Sequence, residues 1–333
     1  MSNRKNDKIL ITGVTGLVGG TLLRHLKDEG YINVSGLVRS AIINNDSSLV
    51  TGDITDLGSL EDALQGVKTV IHCAAIVSFD PRDKEVLNTV NVEGTANLVN
   101  TCLSLGVEEF IYLSSVAALG KPSTIINYEK EVIINEEQKW TDSPYNSNYA
   151  KSKYEGECEV WRGEAEGLKV AVFNPSIIIG EGDWDKSSNR LFKYVWDENS
   201  FLTKGYINYV DIADVVSSIE MVLSNSRFGE RYILNGGKVS FKHFFESVSK
   251  RFKKKPPHRI LSNFWIGILW RLEYLRSILT RSKPLITKET SYSASSNNYF
   301  DNTKVKQELG FEFKTLEESL DRICDYYLSK NPN

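Results

Sequence analysis

A chain of 333 residues can bury one large hydrophobic core, or one large and one small, and its 41 % hydrophobic and 25 % charged residues are the proportions of an ordinary globular protein. A net charge of −3 argues against a general nucleic-acid binder, which carries a basic excess. Four cysteines (Cys73, Cys102, Cys158, Cys324) without a C-x-x-C pair, and four scattered histidines (His25, His72, His243, His258), point to buried thiols in a reducing, cytoplasmic setting and away from disulfides or a metal site.

The polar start, Met1 to Lys8, runs straight into an apolar stretch and predicts no signal peptide. That stretch has strand length and ends at Thr12-Gly13; an amphipathic pattern then begins near Leu17, with leucines at 22, 23 and 26 opposite Arg24, Lys27 and Asp28. Gly13, Gly16 and Gly19 punctuate the junction. Gly13 permits a tight turn, Gly16 lets the main chain approach a pyrophosphate, and Gly19 lets the helix pack closely on the sheet. The helix N-terminus then offers unpaired N–H groups and a partial positive charge to phosphates. Strand, glycine loop and helix together predict dinucleotide binding.

The second strand, Val34–Val38, ends at Arg39-Ser40. An acidic residue there would bond the ribose hydroxyls and repel a 2′-phosphate; an arginine does the opposite, so Arg39 favours NADP over NAD, against the plainer reading of a solvated side chain. Asp53, after a third strand, is placed to accept from the adenine amino group with Ile54 against the ring, and Asp56 to cap a helix over Ser59–Gln65. A fourth strand from Thr69 ends in Ala74-Ala75, where the chain can pass close to a ligand, and His72 reads as a core histidine rather than a catalytic one. A long helical pattern from Val86 to Leu105 contains Asn91, a polar residue of a kind usually exposed. The fifth strand, from Glu109, ends in Ser114-Ser115, where ligands gather in open α/β sheets. Five repeats of strand and helix with short connections predict a Rossmann-type, doubly wound parallel sheet.

After a polar loop over 120–147 comes Tyr149-Ala-Lys-Ser-Lys153. Four residues apart on a helix, Tyr149 and Lys153 share a face. An ammonium beside the phenol would lower its pKa from ~10 toward neutrality and could bond the ribose of a nicotinamide nucleotide. In this company the pair predicts catalysis. A sixth strand, Lys169–Asn174, breaks at Pro175, and beyond it the elements become mixed. Asn189–Trp196 reads as a helix and Ile207–Val210 as a strand. Arg231–Gly237 is a strand and turn, and Ser240 caps a helix over Phe241–Arg251. Residues 1–175 thus form a dinucleotide-binding domain and 176–333 a smaller substrate lobe, with sheet and helices free to interchange between them. Phe264–Trp270 is apolar but too short to span a bilayer; with Arg271, Arg276, Arg281 and Lys283 beside it, the stretch suits a lid, a core helix or a membrane-surface contact.

These motifs resemble the extended short-chain dehydrogenase/reductase family, also described as the NAD-dependent epimerase/dehydratase family. Thr12-Gly13-x-x-Gly16-x-x-Gly19, Gly52-Asp53-Ile54, Ala74-Ala75, Asn91-Val-x-Gly94-Thr95, Ser114-Ser115, Tyr149-x-x-x-Lys153, Asn174-Pro175-Ser176 and Tyr209-Val-Asp211-x-x-Asp214 follow its order and spacing. The nearest look is to the dihydroflavonol reductase-like branch, where an arginine after the second strand goes with NADP. The resemblance implies Tyr149 as general acid or base, Lys153 as its partner and ribose ligand, and Ser115, five before Gly120, as the serine that polarises the carbonyl, Ser114 being the lesser candidate. It implies cofactor contacts from Thr12, Gly13, Thr15, Gly16, Leu17, Val18, Gly19, Arg39, Asp53, Ile54, Ala74, Ala75, Asn91, Tyr149, Lys153, Pro175, Ser176 and Ile177, no metal, and a homodimer.

Departures from the family pattern choose among activities. Val116-Ala117 stands where sugar-nucleotide dehydratases carry Asp-Glu, which removes the acid and base of an elimination. Asn174 and Tyr206-Ile207-Asn208 stand where many epimerases carry arginines for a substrate pyrophosphate. The expectation is an NADP-dependent reductase of an uncharged aldehyde or ketone, with a nucleotide-sugar epimerase as the alternative and a non-catalytic dinucleotide sensor behind both. The substrate is a small molecule of unspecified identity, since the pocket is built from the variable lobe and the 120–147 loop.

Overall fold

The computed structural model describes residues 4–40, 47–120, 131–280 and 297–331. In chain order these form β1 (Ile9–Thr12), α1 (Leu17–Asp28), β2 (Val34–Val38), β3 (Leu49–Thr51), α2 (Leu57–Ala63), β4 (Thr69–His72), α3 (Lys84–Leu87), α4 (Gly94–Ser104) and β5 (Glu109–Leu113). There follow β6 (Val132–Ile134), α5 (Asn148–Ala165), β7 (Lys169–Pro175), β8 (Ile177–Ile179), α6 (Arg190–Trp196), β9 (Phe201–Leu202), β10 (Tyr206–Asp211), α7 (Ile212–Asn225), β11 (Glu230–Leu234) and β12 (Gly237–Ser240). The chain ends with α8 (Phe241–Phe252), β13 (Arg259–Ile260), α9 (Asn263–Thr280), β14 (Asn298–Phe300), α10 (Thr303–Leu309) and α11 (Leu316–Lys330).

Seven parallel strands make the main sheet in the order β11-β7-β5-β4-β1-β2-β3. Its central strands are covered on both faces, which is why they read as unbroken apolar runs. One core packs Leu22 and Leu26 of α1 with Val215, Ile219 and Val222 of α7. The opposite core packs Leu60, Leu98, Val99, Cys102 and Val160 from α2, α4 and α5. The strand order turns back between β1 and β4, and the crevice beyond the carboxyl ends of such strands is where an open α/β sheet takes its ligand. Beyond residue 175 the chain supplies both bodies. β11 and α7 complete the large sheet and its helical layer, while β8, β10 and β12 form a small sheet over an aromatic cluster of Phe192, Phe244, Phe252 and Tyr327.

Several boundaries differ from the sequence reading. The helix expected at Ser59–Gln65 starts two residues earlier, because Asp56 accepts from the Gly58 N–H at 3.2 Å. The continuous helix expected from Val86 to Leu105 is broken by a π-helical turn over Asn88–Glu93. The apolar stretch at 264–270 belongs to α9, which carries on through Arg271 to Thr280 and leaves Trp265 and Leu272 exposed. Among the described residues no helix is long and apolar enough to cross a membrane. Arg281 and Lys283 lie outside the described residues, as does the 121–130 part of the loop before α5.

Candidate active site

The turn after β1 is shaped by backbone proximity. Gly13 has φ +73°, and a Cβ there would lie 2.6 Å from the Ala74 nitrogen and 2.8 Å from its Cα. Both the conformation and the neighbouring strand end demand glycine. A Cβ on Gly19 would fall 2.7 Å from the Gly13 carbonyl carbon and 2.9 Å from the Val14 nitrogen. The close approach expected between helix and sheet is therefore made between helix and turn. Gly16 is the N-cap of α1, exposed like Thr15, with no side-chain cap and no acidic residue in the first turn. Such an end presents bare N–H donors and suits the pyrophosphate of a dinucleotide. Leu17 is half-buried beside Gly182, and Val18 is in the core.

A buried hydrogen-bond chain runs from this turn to α5. The Ala74 N–H donates to Thr12 Oγ1 at 3.1 Å, and Thr12 Oγ1 lies 2.6 Å from His72 Nδ1. His72 Nε2 lies 3.1 Å from Thr95 Oγ1, which donates to the Asn91 carbonyl at 2.7 Å. One proton order satisfies every group: Thr12 donates to Nδ1, and the neutral ring donates from Nε2 to Thr95. Burial and the nearby Lys153 push His72 down to about 3, so it is the core histidine expected. Asn91 departs from the usual exposed helix position, being 1 % exposed. Its Oδ1 accepts from the Ile76 N–H at 2.8 Å, and its Nδ2 donates to the Ile76 carbonyl at 2.9 Å and to Ser152 Oγ at 3.0 Å. Both amide protons are thus taken, and Asn91 clamps the segment after Ala74-Ala75. Ser152 Oγ in turn donates to the Tyr149 carbonyl at 2.9 Å.

Ser147 caps α5 by accepting from the Ala150 N–H at 2.8 Å, which sets Tyr149 and Lys153 one turn apart. The two serines after β5 part company. Ser114 Oγ turns inward and donates to Glu157 Oε2 at 2.6 Å, whereas Ser115 accepts from the Ala117 N–H at 3.1 Å and faces Tyr149. Burial pushes the Tyr149 phenol up to about 12, against the pull of the Ser115 hydroxyl. The lowering expected from Lys153 is not what the geometry gives. The Lys153 ammonium, 1 % exposed, donates to the Leu113 carbonyl at 2.8 Å and stands 4.2 Å over the Tyr112 ring. Burial draws it down to about 7, opposed by Glu157 and Cys73.

The other expected contacts divide. Arg39 is exposed immediately past β2. Asp53 Oδ1 accepts from the N–H and the hydroxyl of Thr55, at 2.9 and 2.8 Å. Ile54, expected against an adenine ring, is buried in the core, where a Cβ on Gly94 would lie 2.9 Å from its Cδ1. Pro175 and Ser176 are buried and Ile177 exposed; the Ser176 N–H bonds the Leu234 carbonyl at 2.9 Å, and its buried hydroxyl has no protein partner among the described residues. The bare α1 terminus, the glycine turn and this unpartnered hydroxyl fit a nicotinamide dinucleotide.

Residues 9–234 match the model described as the NAD dependent epimerase/dehydratase family. The chain belongs to that family. It is an NAD(P)-dependent enzyme of the extended short-chain dehydrogenase/reductase type on a Rossmann-like sheet. A Synechocystis protein provisionally named dihydroflavonol 4-reductase is 27 % identical, over 94 % of this chain and 92 % of that one. Sterol demethylase protein B of Methylococcus capsulatus is 30 % identical, over 68 % of this chain and 69 % of its own length. The solved structure of gox2253 superposes with a TM-score of 0.80 at 29 % identity, covering 98 % of this chain and 99 % of that one. MoeE5, solved with UDP-glucose and NAD, shares the fold at a TM-score of 0.73 and 20 % identity, covering 97 % of this chain and 99 % of its own.

Two features of this family member escape the sequence reading. Phe79 stacks edge-on against Tyr149, with ring centroids 5.8 Å apart, yet is 38 % exposed. Its loop is tied down by Ser78 Oγ on Asp83 at 2.6 Å and by the Asp80–Arg82 ion pair at 2.6 Å. The local signal is the cap pattern Asp80-Pro81, which predicts a turn but not the direction of the ring. The second is Glu157, one turn past Lys153, whose spacing on α5 was visible and whose burial was not.

Proposed function

We propose that the protein is an NADP-dependent reductase that converts an uncharged aldehyde or ketone to an alcohol. The observation that carries this reading is the placing of the Tyr149 phenol beside the Ser115 hydroxyl and edge-on to the apolar Phe79 ring, with centroids 5.8 Å apart. A phenol so placed is equipped to give a proton, which carbonyl reduction requires at oxygen. The nicotinamide, when bound, supplies the hydride. Ser115 orients and polarises the carbonyl, Tyr149 protonates its oxygen, and Lys153 holds the ribose hydroxyls. Arg39, exposed past β2, pairs with the 2′-phosphate.

Val116-Ala117 offers no carboxyl group for elimination. Asn174, where an arginine would meet a pyrophosphate, is instead bound to the Ser115 carbonyl at 2.9 Å and Glu157 at 3.0 Å. The test is NADPH consumption against a panel of carbonyl compounds, beside Tyr149→Phe. Turnover should fall by about 10²–10⁴ in the variant with dinucleotide affinity retained. A variant as active as the parent refutes the assignment. Cofactor retained through purification with no net NADPH consumption turns the reading to an epimerase.

A further inference from the structure

We propose that Glu157 is the positioning residue of this site: its buried carboxylate fixes the segment bearing Ser115 and sets a negative charge one helical turn from the buried Lys153. The inference rests on the reductase reading for the roles of Ser115 and Lys153, and its own test reads dinucleotide binding.

Glu157 is 1 % exposed and collects donors from β7, β11, α5 and the turn after β5. Oε2 accepts from Ser114 Oγ after β5 at 2.6 Å and from Asn174 Nδ2 on β7 at 3.0 Å. Oε1 accepts from Trp161 Nε1 at 3.3 Å and pairs with Arg231 on β11. Every partner is a donor, the arrangement a carboxylate requires at both oxygens. Asn174 Nδ2 also holds the Ser115 carbonyl at 2.9 Å. The residue before Ser115 and the carbonyl of Ser115 itself are thus tied, directly and through Asn174, to one group. That leaves the Ser115 side chain to face Tyr149.

The same carboxylate acts on Lys153. The titratable groups around that ammonium are Glu157 and Tyr149 on α5, His72 and Cys73 at the end of β4, and Tyr112 on β5. His72 is neutral near 3, the Cys73 thiol is pushed up to about 12, and burial drives both phenols upward, so each is uncharged at neutral pH. Glu157 is then the formal negative charge in this set, its charge shared with Arg231. An opposite charge nearby favours the ionised form of a buried lysine. Without it, Lys153 deprotonates at lower pH and loses protons it needs for ribose hydroxyls.

The experiment measures NADPH affinity by fluorescence quenching from pH 5 to 9 in the parent, Glu157→Gln, Glu157→Asp and Ser114→Ala. Parent and variants are compared at equal pH, so titration of the cofactor's own phosphate cancels. In the parent, affinity weakens as pH rises through the Lys153 transition. In Glu157→Gln that fall should come about one pH unit lower, while Glu157→Asp and Ser114→Ala, which keep the charge, should leave it in place. Superimposable pH curves for the parent and Glu157→Gln overturn the proposal. If the single variant fails to fold because Arg231 loses this partner, Arg231→Gln is the second variant: it leaves the Glu157 charge unshared, so the fall in affinity should come at higher pH, and a curve superimposable on the parent's overturns the proposal. A parent that binds neither NADPH nor NADH refutes the functional reading itself, a result distinct from either pH outcome.

Discussion

Replacing Gly19 by alanine separates a helix that tolerates a methyl from one pressed against its own glycine turn. Alanine at an ordinary helical glycine stabilises by about 0.5–1 kcal/mol, since it gains helix propensity and narrows the unfolded ensemble. Gly58 in α2 is such a site, because a Cβ there meets nothing nearer than Asp56 Oδ1 at 3.7 Å. On Gly19 the new methyl would sit 2.7 Å from the Gly13 carbonyl carbon, against an ordinary carbon contact of ~3.5 Å, so the turn or α1 must retreat by about 0.8 Å. Overpacking of this kind costs about 1–3 kcal/mol, which leaves a net loss of roughly 0–2 kcal/mol after the propensity gain. The displaced turn carries the N–H donors expected to meet the pyrophosphate. Losing one or two charge-assisted bonds at about 1.5 kcal/mol each should weaken binding roughly 10- to 100-fold. Thermal melts and NADPH titrations of Gly19→Ala and Gly58→Ala provide the comparison. A Gly19→Ala protein as stabilised as Gly58→Ala, with affinity within twofold of the parent, refutes both the packing argument and the phosphate assignment.

Three further outcomes are expected. Arg39→Ala should cut NADP affinity about tenfold and leave NAD unchanged, as the loss of one exposed charge-assisted contact implies, and equal affinities in the parent would defeat the assignment. Lys153→Met should stabilise the fold while weakening dinucleotide binding. The Lys153 pKa, near 7 in the folded chain and ~10.4 when exposed, makes the buried ammonium a cost carried in full below about pH 7 and relieved as pH rises toward 10. The gain in melting temperature should therefore be larger at pH 6 than at pH 9, and a gain independent of pH contradicts the linkage. Gly156→Ala should destabilise by about 1–3 kcal/mol, because its Cβ would fall 2.5 Å from the Asn91 carbonyl and 2.8 Å from Tyr112 Oη; an unchanged denaturation midpoint would show that α5 can lift away from the π turn.

The parts of the fold legible in the sequence were those fixed by neighbours in the chain. β1, β4 and β5 announce themselves because burial on both faces leaves little room for polar residues. Asp56 and Ser240 mark helix starts because a cap needs only a side chain two or three residues from the N–H it accepts. Tyr149 and Lys153 share a face through helix period alone. What the residues alone could not give is which way a side chain turns; only the resemblance preferred Ser115 to Ser114. Ser114 and Ser115 are chemically identical and adjacent, and only the position of Glu157, 43 residues after Ser114, separates them. The expected effect of Lys153 on Tyr149 failed for the same reason: proximity on a helix face did not reveal that the ammonium bonds the Leu113 carbonyl, 40 residues away in sequence.

The buried chain from Thr12 to Tyr149 shows why such partners matter to the site and why periodicity cannot reveal them. Its side-chain links span sequence separations of 60, 23 and 61 residues, through His72, Thr95, Asn91 and Ser152. Strand register supplies the missing information, since Thr12, His72 and Tyr112 are level neighbours across β1, β4 and β5. Because Thr12 precedes the glycine turn and Ser152 lies between Tyr149 and Lys153, the chain joins the glycine turn to the Tyr149 end of the proposed site. Each donor has one acceptor and the links from Thr12 to Ser152 are buried, so losing one member leaves its neighbours unsatisfied at about 1–3 kcal/mol apiece. A protonated His72 would present a second ring donor where Thr12 must donate, which is why the histidine serves here only as a neutral ring. The distance between the two ends of the site is thereby held by hydrogen bonds of fixed direction, with no titratable link to loosen it at working pH.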